Sequence, residues 1–164
     1  MPANSRTVQR IVVASDHAGL PLKDVLKADL QAAGYIVRDL GTHDDSSVDY
    51  PDFGMAAGQA VAAGQADAGV IVCGTGIGIS IAANRIAGVR AAVLHDSLTA
   101  RLAREHNDAN VAAFGARVLG VETARDALKT FLETAFEGGR HARRVAKLDQ
   151  VAAGAAARAD EQVG

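Results

Sequence analysis

A single cysteine stands at the start of a glycine-rich segment that could bind an anion. The segment runs from Cys73 to Gly78, with glycine at every second position after the cysteine. Glycines let a backbone turn sharply and direct several N–H groups into one concavity, and a helix that starts after them adds partial positive charge. An anion is stabilised there, and a thiol loses its proton more easily. The pattern therefore indicates a cysteine base or nucleophile beside a developing oxyanion.

Two nucleotide-binding motifs are similar to this segment but differ from it in detail. A dinucleotide-binding Gly-x-Gly-x-x-Gly pattern would need a third glycine where Ile79 stands. A nucleotide P-loop would need Gly-Lys-Ser/Thr, whereas Ile79 and Ser80 follow Gly78. An oxyanion or a small phosphorylated substrate remains as the ligand. The structural alternative is that the cysteine is an inert, small hydrophobic residue at the end of a buried strand.

Other polar residues could complete such a site, and each also has a structural interpretation. Asp16 and His17 follow an apolar segment, where they could line a pocket or cap a helix. His106 could act in acid–base chemistry, or be a histidine that the dipole at a helix end stabilises. His95 and Asp96 could simply form a turn at the end of a strand.

The elements that must position these residues alternate between apolar strands and segments with helical periodicity. This alternation predicts one open parallel sheet of about five strands with helices on both faces. Ligands of such sheets bind at the carboxyl ends of the strands, so we expect Asp16–His17, Cys73–Gly78 and His95–Asp96 to share one edge. The predicted strands are Arg10–Ser15, Tyr35–Leu40, Ala68–Cys73, Arg90–Leu94 and Val111–Phe114, and the predicted helices are Leu20–Ala33, Phe53–Ala63, Ile79–Arg85, Ser97–His106, Glu122–Glu133 and Arg140–Ala153.

Length, composition and charge narrow the classes of function. The chain has 164 residues, a hydrophobic share of 49% and a formal net charge of −2. The length favours one domain, which we expect at residues 1–150, followed by an Ala/Gly-rich helix end and tail at residues 151–164. The charge and the lack of an aromatic platform argue against nucleic-acid binding, and no apolar run is long enough to cross a membrane. Since the N-terminus lacks the apolar core of a secretory signal, we expect a cytoplasmic protein.

Five segments of the chain match the pattern of a known family. They are Ser15–Gly19, Asp49–Pro51, Cys73–Arg85, His106–Asn110 and Glu137–His141. Together they resemble the ribose-5-phosphate isomerase B family, which also includes galactose-6-phosphate isomerase subunits. The resemblance extends over about residues 10–150. It implies a three-layer α/β/α, Rossmann-like fold, a homodimer or homotetramer with the pocket between two subunits, and no metal or nucleotide cofactor.

The resemblance also implies a reaction, the reversible interconversion of ribose 5-phosphate and ribulose 5-phosphate through an enediolate. Cys73 would be the general base, Thr75 would support the enediolate oxygen, His106 would open the sugar ring, and Asp16 would assist proton movement at hydroxyls. Arg140 and Arg144, four residues apart, share a helix face. Taken alone, their basic cluster is typical of a solvated surface, and it consists of Arg140, His141, Arg143, Arg144 and Lys147. The implied substrate-binding residues are a phosphate set of His17, Arg117, Arg140 and Arg144, with Tyr50, Gly74, Gly76, Gly78 and Asn107 as further pocket residues.

Two alternatives to this function remain open at the level of the sequence. The substrate could be a hexose phosphate or a tetrose phosphate, and we expect the polar loop Gly41–Asp52 to set the sugar length. A non-catalytic phosphosugar sensor would keep the arginines and the glycine loop but would not need both Cys73 and His106. The joint presence of these two residues favours the isomerase. The complete set of site residues favours a homo-oligomer that binds a phosphorylated sugar.

Overall fold

A parallel sheet forms the middle layer of the protein, seen in a computed structural model that describes residues 8–161. The strands within those residues are β1 Arg10–Ser15, β2 Ile36–Asp39, β3 Ala68–Cys73, β4 Ala91–Val93 and β5 Val111–Gly115. These five strands lie in the order β2-β1-β3-β5-β4, and every neighbouring pair is parallel. The sequence prediction of an open parallel sheet of about five strands is confirmed.

Helices cover both faces of the sheet, which gives the three-layer α/β/α, Rossmann-like architecture. The helices are α1 Leu20–Ala32, α2 Tyr50–Ala62, α3 Ile77–Ala83, α4 Ser97–Asn107, α5 Val121–Glu133 and α6 Arg140–Glu161. One apolar core lies between the sheet and α1, α4 and α5, and a second lies between the sheet and α2 and α3. Among the described residues, no helix is both long enough and apolar enough to cross a membrane.

The central strand β3 is apolar on both faces because it contributes to both cores. All six of its residues are buried. Val70 and Val72 pack in the core with α1, α4 and α5, whereas Ile71 and Cys73 pack in the core with α2 and α3. A strand covered on both sides needs such a continuous apolar run, and this burial fixes the position of Cys73 at the carboxyl end of the sheet.

Helices α2 and α3 pack closely enough that a glycine is required between them. A Cβ atom on Gly54 would lie 2.6 Å from the carbonyl oxygen of Ile79, well inside van der Waals contact. This close packing holds α3, the helix that follows directly after the segment Cys73–Gly76, against α2.

Three helices have bounds that differ from the predicted ones by two residues or more, whereas the bounds of the other elements agree to within one residue. Helix α2 begins at Tyr50 rather than Phe53, since proline is tolerated in the first turn of a helix and Pro51 continues the helix. Helix α3 begins at Ile77, so Gly78 lies inside the helix rather than before it. Helix α6 continues past Ala153 to Glu161, so most of the predicted tail is helical, while residues 162–164 lie outside the described residues.

Candidate active site

The carboxyl ends of β1 and β3 are adjacent at the point where the chain changes from one face of the sheet to the other. The chain leaves β1 through α1 on one face of the sheet and enters β3 from α2 on the other face. Parallel sheets bind ligands at such a switch point, because the diverging connections leave a cleft between the two strands. Asp16 and His17 follow β1 and Cys73 ends β3, so the structure places these three residues at one edge, as the sequence predicted.

The sulfur of Cys73 is held by the glycine segment that follows it. The side chain is buried, and Sγ accepts a hydrogen bond from the backbone N–H of Gly76 at 3.1 Å. Gly76 adopts the left-handed conformation with φ 78°, and a Cβ atom there would lie 2.9 Å from the carbonyl carbon of Phe114. Only glycine combines this backbone conformation with this close approach, so Gly76 is what turns its N–H towards the sulfur.

A second bond within the same segment changes the expected role of its N–H groups. The hydroxyl of the exposed Thr75 accepts from the N–H of Ile77 at 3.2 Å. Two N–H groups that the sequence interpretation directed at a ligand, those of Gly76 and Ile77, are therefore bonded to side chains of the segment itself. The exposed Thr75 hydroxyl is one polar group that this segment presents to solvent.

Two other glycines of the segment lie against large side chains. A Cβ atom on Gly78 would lie 2.7 Å from ring carbons of Tyr50, so the half-exposed phenol packs directly over this glycine. The position of a Cβ atom on Gly74 is in ordinary contact with the guanidinium of Arg117 at 3.5 Å, and the backbone N–H of Arg117 donates to the Gly74 carbonyl at 2.9 Å. The structure thus brings Tyr50 and Arg117 to the segment that begins at Cys73.

The residues that follow β1 are oriented by local hydrogen bonds. The carboxylate of the buried Asp16 accepts from the N–H of Gly19 at 2.9 Å, which supports the turn before α1. The helix cap that the structural interpretation predicted is wrong, because the N-cap residue of α1 is Gly19 and no side chain caps this helix. The Nδ1 atom of His17 accepts from the N–H of Val48 at 3.2 Å. In the neutral ring the proton is then on Nε2, which makes this nitrogen the donor available to an anion. The loop between β2 and α2 therefore orients His17.

His106 and Asn107 lie at the opposite edge of the sheet from Cys73. They end α4, and the chain then enters β5 through Asn110, whose backbone bonds to Gly69 and Arg90 at the amino ends of β3 and β4. The five residues of β5 span about 15 Å, which separates the two edges. Within one chain the structure does not bring His106 and Asn107 together with Cys73.

The two C-terminal arginines belong to the same edge as His106. Arg140 and Arg144 are exposed in the first turns of α6, and the neighbouring His141 is buried with its ring stacked on that of His106. The backbone N–H of Glu137, just before α6, donates to the carbonyl of Glu105 in α4 at 3.1 Å, which fixes the two helices to each other. His106, Asn107, Arg140 and Arg144 are named the amino-edge group below.

Three side chains at this edge carry atoms of the kinds that bind metals. The donor atoms of His106, Glu137 and His141 lie within 4.8 Å of one another. The two imidazole rings are nearly parallel, with 7° between their planes and 4.2 Å between their centroids. A metal ion lies in the plane of each ligating ring, at about 2.0–2.1 Å from nitrogen, and no single point satisfies both rings in this arrangement. The geometry fits ring stacking and does not fit a metal centre.

His95 and Asp96 also lie at the carboxyl edge, but Asp96 has a structural role. Its carboxylate accepts from the N–H of Thr99 at 2.7 Å, and the Thr99 hydroxyl accepts from the Asp96 N–H, which is a capping box at the start of α4. These hydrogen bonds lower the pKa of Asp96, and the bond from the backbone N–H of Thr99 has the largest effect. The structural interpretation of this pair is confirmed.

Two buried ionisable residues were missed at the sequence level. His141 was grouped with a solvated basic cluster, although its spacing of four from the buried Val145 marks a buried helix face. Lys23 is fully buried in α1, where Nζ donates to Asp39 at 2.8 Å and to the carbonyl of Thr42. Lys23 therefore fixes the start of the loop that carries Val48, and no pattern in the sequence indicated this role.

Comparisons with known proteins find a matching family model, similar sequences and similar solved structures. Residues 11–148 match the model of a family described as Ribose/Galactose Isomerase. Ribose-5-phosphate isomerase B of Escherichia coli is 45% identical over 138 residues, which cover 84% of this chain and 93% of that protein. Among solved structures, ribose-5-phosphate isomerase B of Clostridium thermocellum is 50% identical, with a TM-score of 0.86 over 87% of this chain and 97% of that one. The Thermotoga maritima enzyme is 46% identical, with a TM-score of 0.85 over 87% and 98%.

Proposed function

Because the chain belongs to the ribose/galactose isomerase family, we propose that it interconverts ribose 5-phosphate and ribulose 5-phosphate with Cys73 as the base. The chain is a sugar-phosphate isomerase, an enzyme that interconverts aldoses and ketoses. The observation that carries the assignment of the base is the buried Cys73 sulfur, held by the N–H of Gly76 at the switch point of the sheet.

The proposed reaction moves one proton between two neighbouring carbons. In the open aldose, the thiolate of Cys73 takes the proton from C2, a C1=C2 double bond forms, and the electrons of the C1=O1 bond move onto O1. A proton passes from O2 to O1, and the thiol returns the first proton to C1, which leaves the ketone at C2. This step needs a base near the carbon and a donor near the enediolate oxygen. The exposed Thr75 hydroxyl supplies that donor, and Asp16 assists at the hydroxyls.

Before this proton transfer the sugar ring must open, and His106 is proposed for that step. The C1–O4 bond breaks and C1=O1 forms, while the proton on O1 is removed and a proton is given to O4. An imidazole can take one proton and deliver another near neutral pH, which suits this exchange. Tyr50 and Asn107 are proposed to hold sugar hydroxyls, and the phosphate set is His17, Arg117, Arg140 and Arg144.

A second copy of the chain is proposed to complete each site. The amino-edge group and Cys73 lie at opposite edges of one sheet, so a single chain cannot apply both His106 and Cys73 to one sugar. In addition, Ile77 and Ile81 share one face of α3, next to the glycine segment, and each is more than half exposed. Exposed apolar residues that are clustered in this way are typical of a protein interface.

The boundaries of the enzymatic unit are also part of the proposal. We propose that residues 1–150 form the isomerase domain and that residues 151–164 lie outside it, since the family match ends at residue 148. Helix α6 crosses this boundary without interruption. A cytoplasmic location stays a prediction.

Two variants test the base and the shared site in one design. Cys73→Ala is expected to abolish turnover of ribose 5-phosphate and solvent-deuterium exchange, while binding of a phosphorylated pentose is retained. His106→Asn is expected to lower turnover of the same substrate. If the two residues act across an interface, each mixed dimer formed on co-expression of the two variants has one native site and one site that lacks both residues. Because about half of the dimers are mixed, about a quarter of the wild-type activity per chain is expected to return.

The outcomes distinguish the proposal from its alternatives. Unchanged function of Cys73→Ala would favour a phosphosugar sensor, and no recovery in the mixed protein would contradict the shared site. A panel of phosphorylated tetroses, pentoses and hexoses, read by turnover and by deuterium exchange at C1 or C2, decides the sugar length. Higher kcat/KM for a hexose or tetrose phosphate would contradict ribose 5-phosphate as the substrate.

A further inference from the structure

His141 is a buried histidine between two exposed arginines in the first turns of α6. Its relative exposure is 5%, whereas Arg140 and Arg144 lie at the surface. Histidine is only occasionally buried this completely, and a buried ionisable side chain beside a proposed site suggests a role there. None of the steps proposed above uses this side chain.

The first contact of His141 is with the ring of His106. The two imidazoles stack with their centroids 4.2 Å apart and their planes 7° apart. Among the described residues, no hydrogen bond holds the imidazole of His106. The face of the His141 ring is therefore the contact that determines the plane of the His106 ring.

The second contact of His141 is with Arg140. The Nε–H of Arg140 donates to Nε2 of His141 at 3.3 Å, and a carboxylate oxygen of Glu137 lies 3.4 Å from the same nitrogen. Burial lowers the pKa of His141, and the electrostatic effects of His106 and Arg140 lower it further, against an opposing effect of Glu137. The ring is then neutral at pH 7, with its lone pair on Nε2 accepting from Arg140 and its proton on Nδ1.

We propose that His141 is a positioning residue, whose ring face orients His106 for sugar-ring opening and whose Nε2 atom orients the guanidinium of Arg140 towards the substrate phosphate. This inference rests on the proposed isomerase function. The two contacts use different parts of one side chain, so two substitutions can remove them separately.

The substrates also separate the two effects. Ribose 5-phosphate is a closed furanose, and its turnover needs the transfer of a proton from O1 and of a proton to O4. Ribulose 5-phosphate has its carbonyl at C2 and its O5 bonded to phosphorus, so it cannot close a furanose ring. Exchange of a C1 proton of ribulose 5-phosphate with deuterated solvent therefore reports on the proton-transfer step without ring opening.

The experiment compares His141→Gln, which keeps an acceptor but no ring, with His141→Phe, which keeps a ring but no acceptor. For His141→Gln, kcat on ribose 5-phosphate is expected to fall about 10- to 100-fold with little change in KM, because a misplaced acid–base group loses rate on this scale. For His141→Phe, kcat is expected within about threefold of wild type, while KM rises about 3- to 10-fold for both sugars. Deuterium exchange at C1 of ribulose 5-phosphate, measured at saturation, is expected to stay at the wild-type rate in both variants.

His141→Ala serves as the combined variant, with lower kcat and higher KM expected, and circular dichroism checks the fold of all three. The inference is overturned if His141→Gln slows C1 exchange as much as ribose 5-phosphate turnover, if the Gln and Phe variants show the same pattern, or if His141→Ala behaves as wild type. Wild-type protein that shows neither turnover nor exchange would instead contradict the proposed function, so the two failures are distinguishable.

Discussion

Replacement of Gly76 by alanine tests whether the close contact of Gly76 with the backbone of Phe114 and Gly115 holds its N–H against the sulfur of Cys73. Two effects add at this position. A left-handed conformation costs an ordinary residue about 1–2 kcal/mol, of which about 0.4–1 kcal/mol is offset because alanine restricts the unfolded chain. In addition, the new Cβ would lie 2.9 Å from the carbonyl carbon of Phe114 and 3.1 Å from the nitrogen of Gly115, where only backbone movement can relieve the overlap.

The magnitude follows from adding an overpacking cost to the conformational one. Forcing extra atoms into a closely packed place costs about 1–3 kcal/mol, so Gly76→Ala is expected to lower the free energy of unfolding by about 1.5–4.5 kcal/mol. For a chain of this size that corresponds to a fall in Tm of about 3–18 °C. Because the N–H of Gly76 would leave the sulfur of Cys73, kcat is expected to fall by about 10-fold or more.

Gly88 offers a matched control for the conformational part alone. Its φ of 82° is close to the 78° of Gly76, but no atom lies within 4 Å of the position of a Cβ. Gly88→Ala is expected to cost only about 0.5–1.5 kcal/mol and to leave kcat unchanged. Thermal unfolding of both variants at one protein concentration, with steady-state kinetics, makes the comparison. Equal losses of unfolding free energy in the two variants would refute the reasoning, because the backbone of Phe114 and Gly115 would then have moved at little cost to accommodate the new Cβ atom.

Two further predictions concern stability. Burial raises the pKa of Asp39, but hydrogen bonds from Lys23, Lys27 and a backbone N–H outweigh it and lower the pKa to about 2. A lowered carboxyl pKa stabilises the fold at pH above about 4, so the free energy of unfolding is expected to fall by about 1–2 kcal/mol as the pH falls from about 4 to 2. Denaturant titrations at the two pH values should show a smaller loss of unfolding free energy in Asp39→Asn than in the wild type. An equal loss in the two proteins would contradict a stabilising role of the ion pairs. Asp96→Ala removes the cap of α4 and is expected to lower Tm by about 2–4 °C, since a lost cap costs about 1 kcal/mol; unchanged Tm would contradict the capping role, and kcat should not change.

The sequence alone determined the order of strands and helices and the place of Cys73. Apolar runs of strand length that alternate with helical periodicity leave few arrangements other than an open parallel sheet, and β1 and β3 were predicted to the residue. The cysteine at the end of a fully apolar strand, with alternating glycines after it, was sufficient to predict a site at that edge. Local patterns of this kind are visible because they depend on neighbours in the chain.

Only the tertiary structure decided which of the site residues can meet. His106 and Cys73 were assigned to one site, but five residues of β5 separate their edges, and a sequence pattern does not measure distance across a sheet. Likewise, His141 was read as one more residue of a basic surface until its ring was found buried against His106. Burial and stacking depend on the packing of α4 against α6, which brings together residues 35 positions apart. Such contacts arise from the fold as a whole, which is why the roles of His141 and Lys23 required the structure.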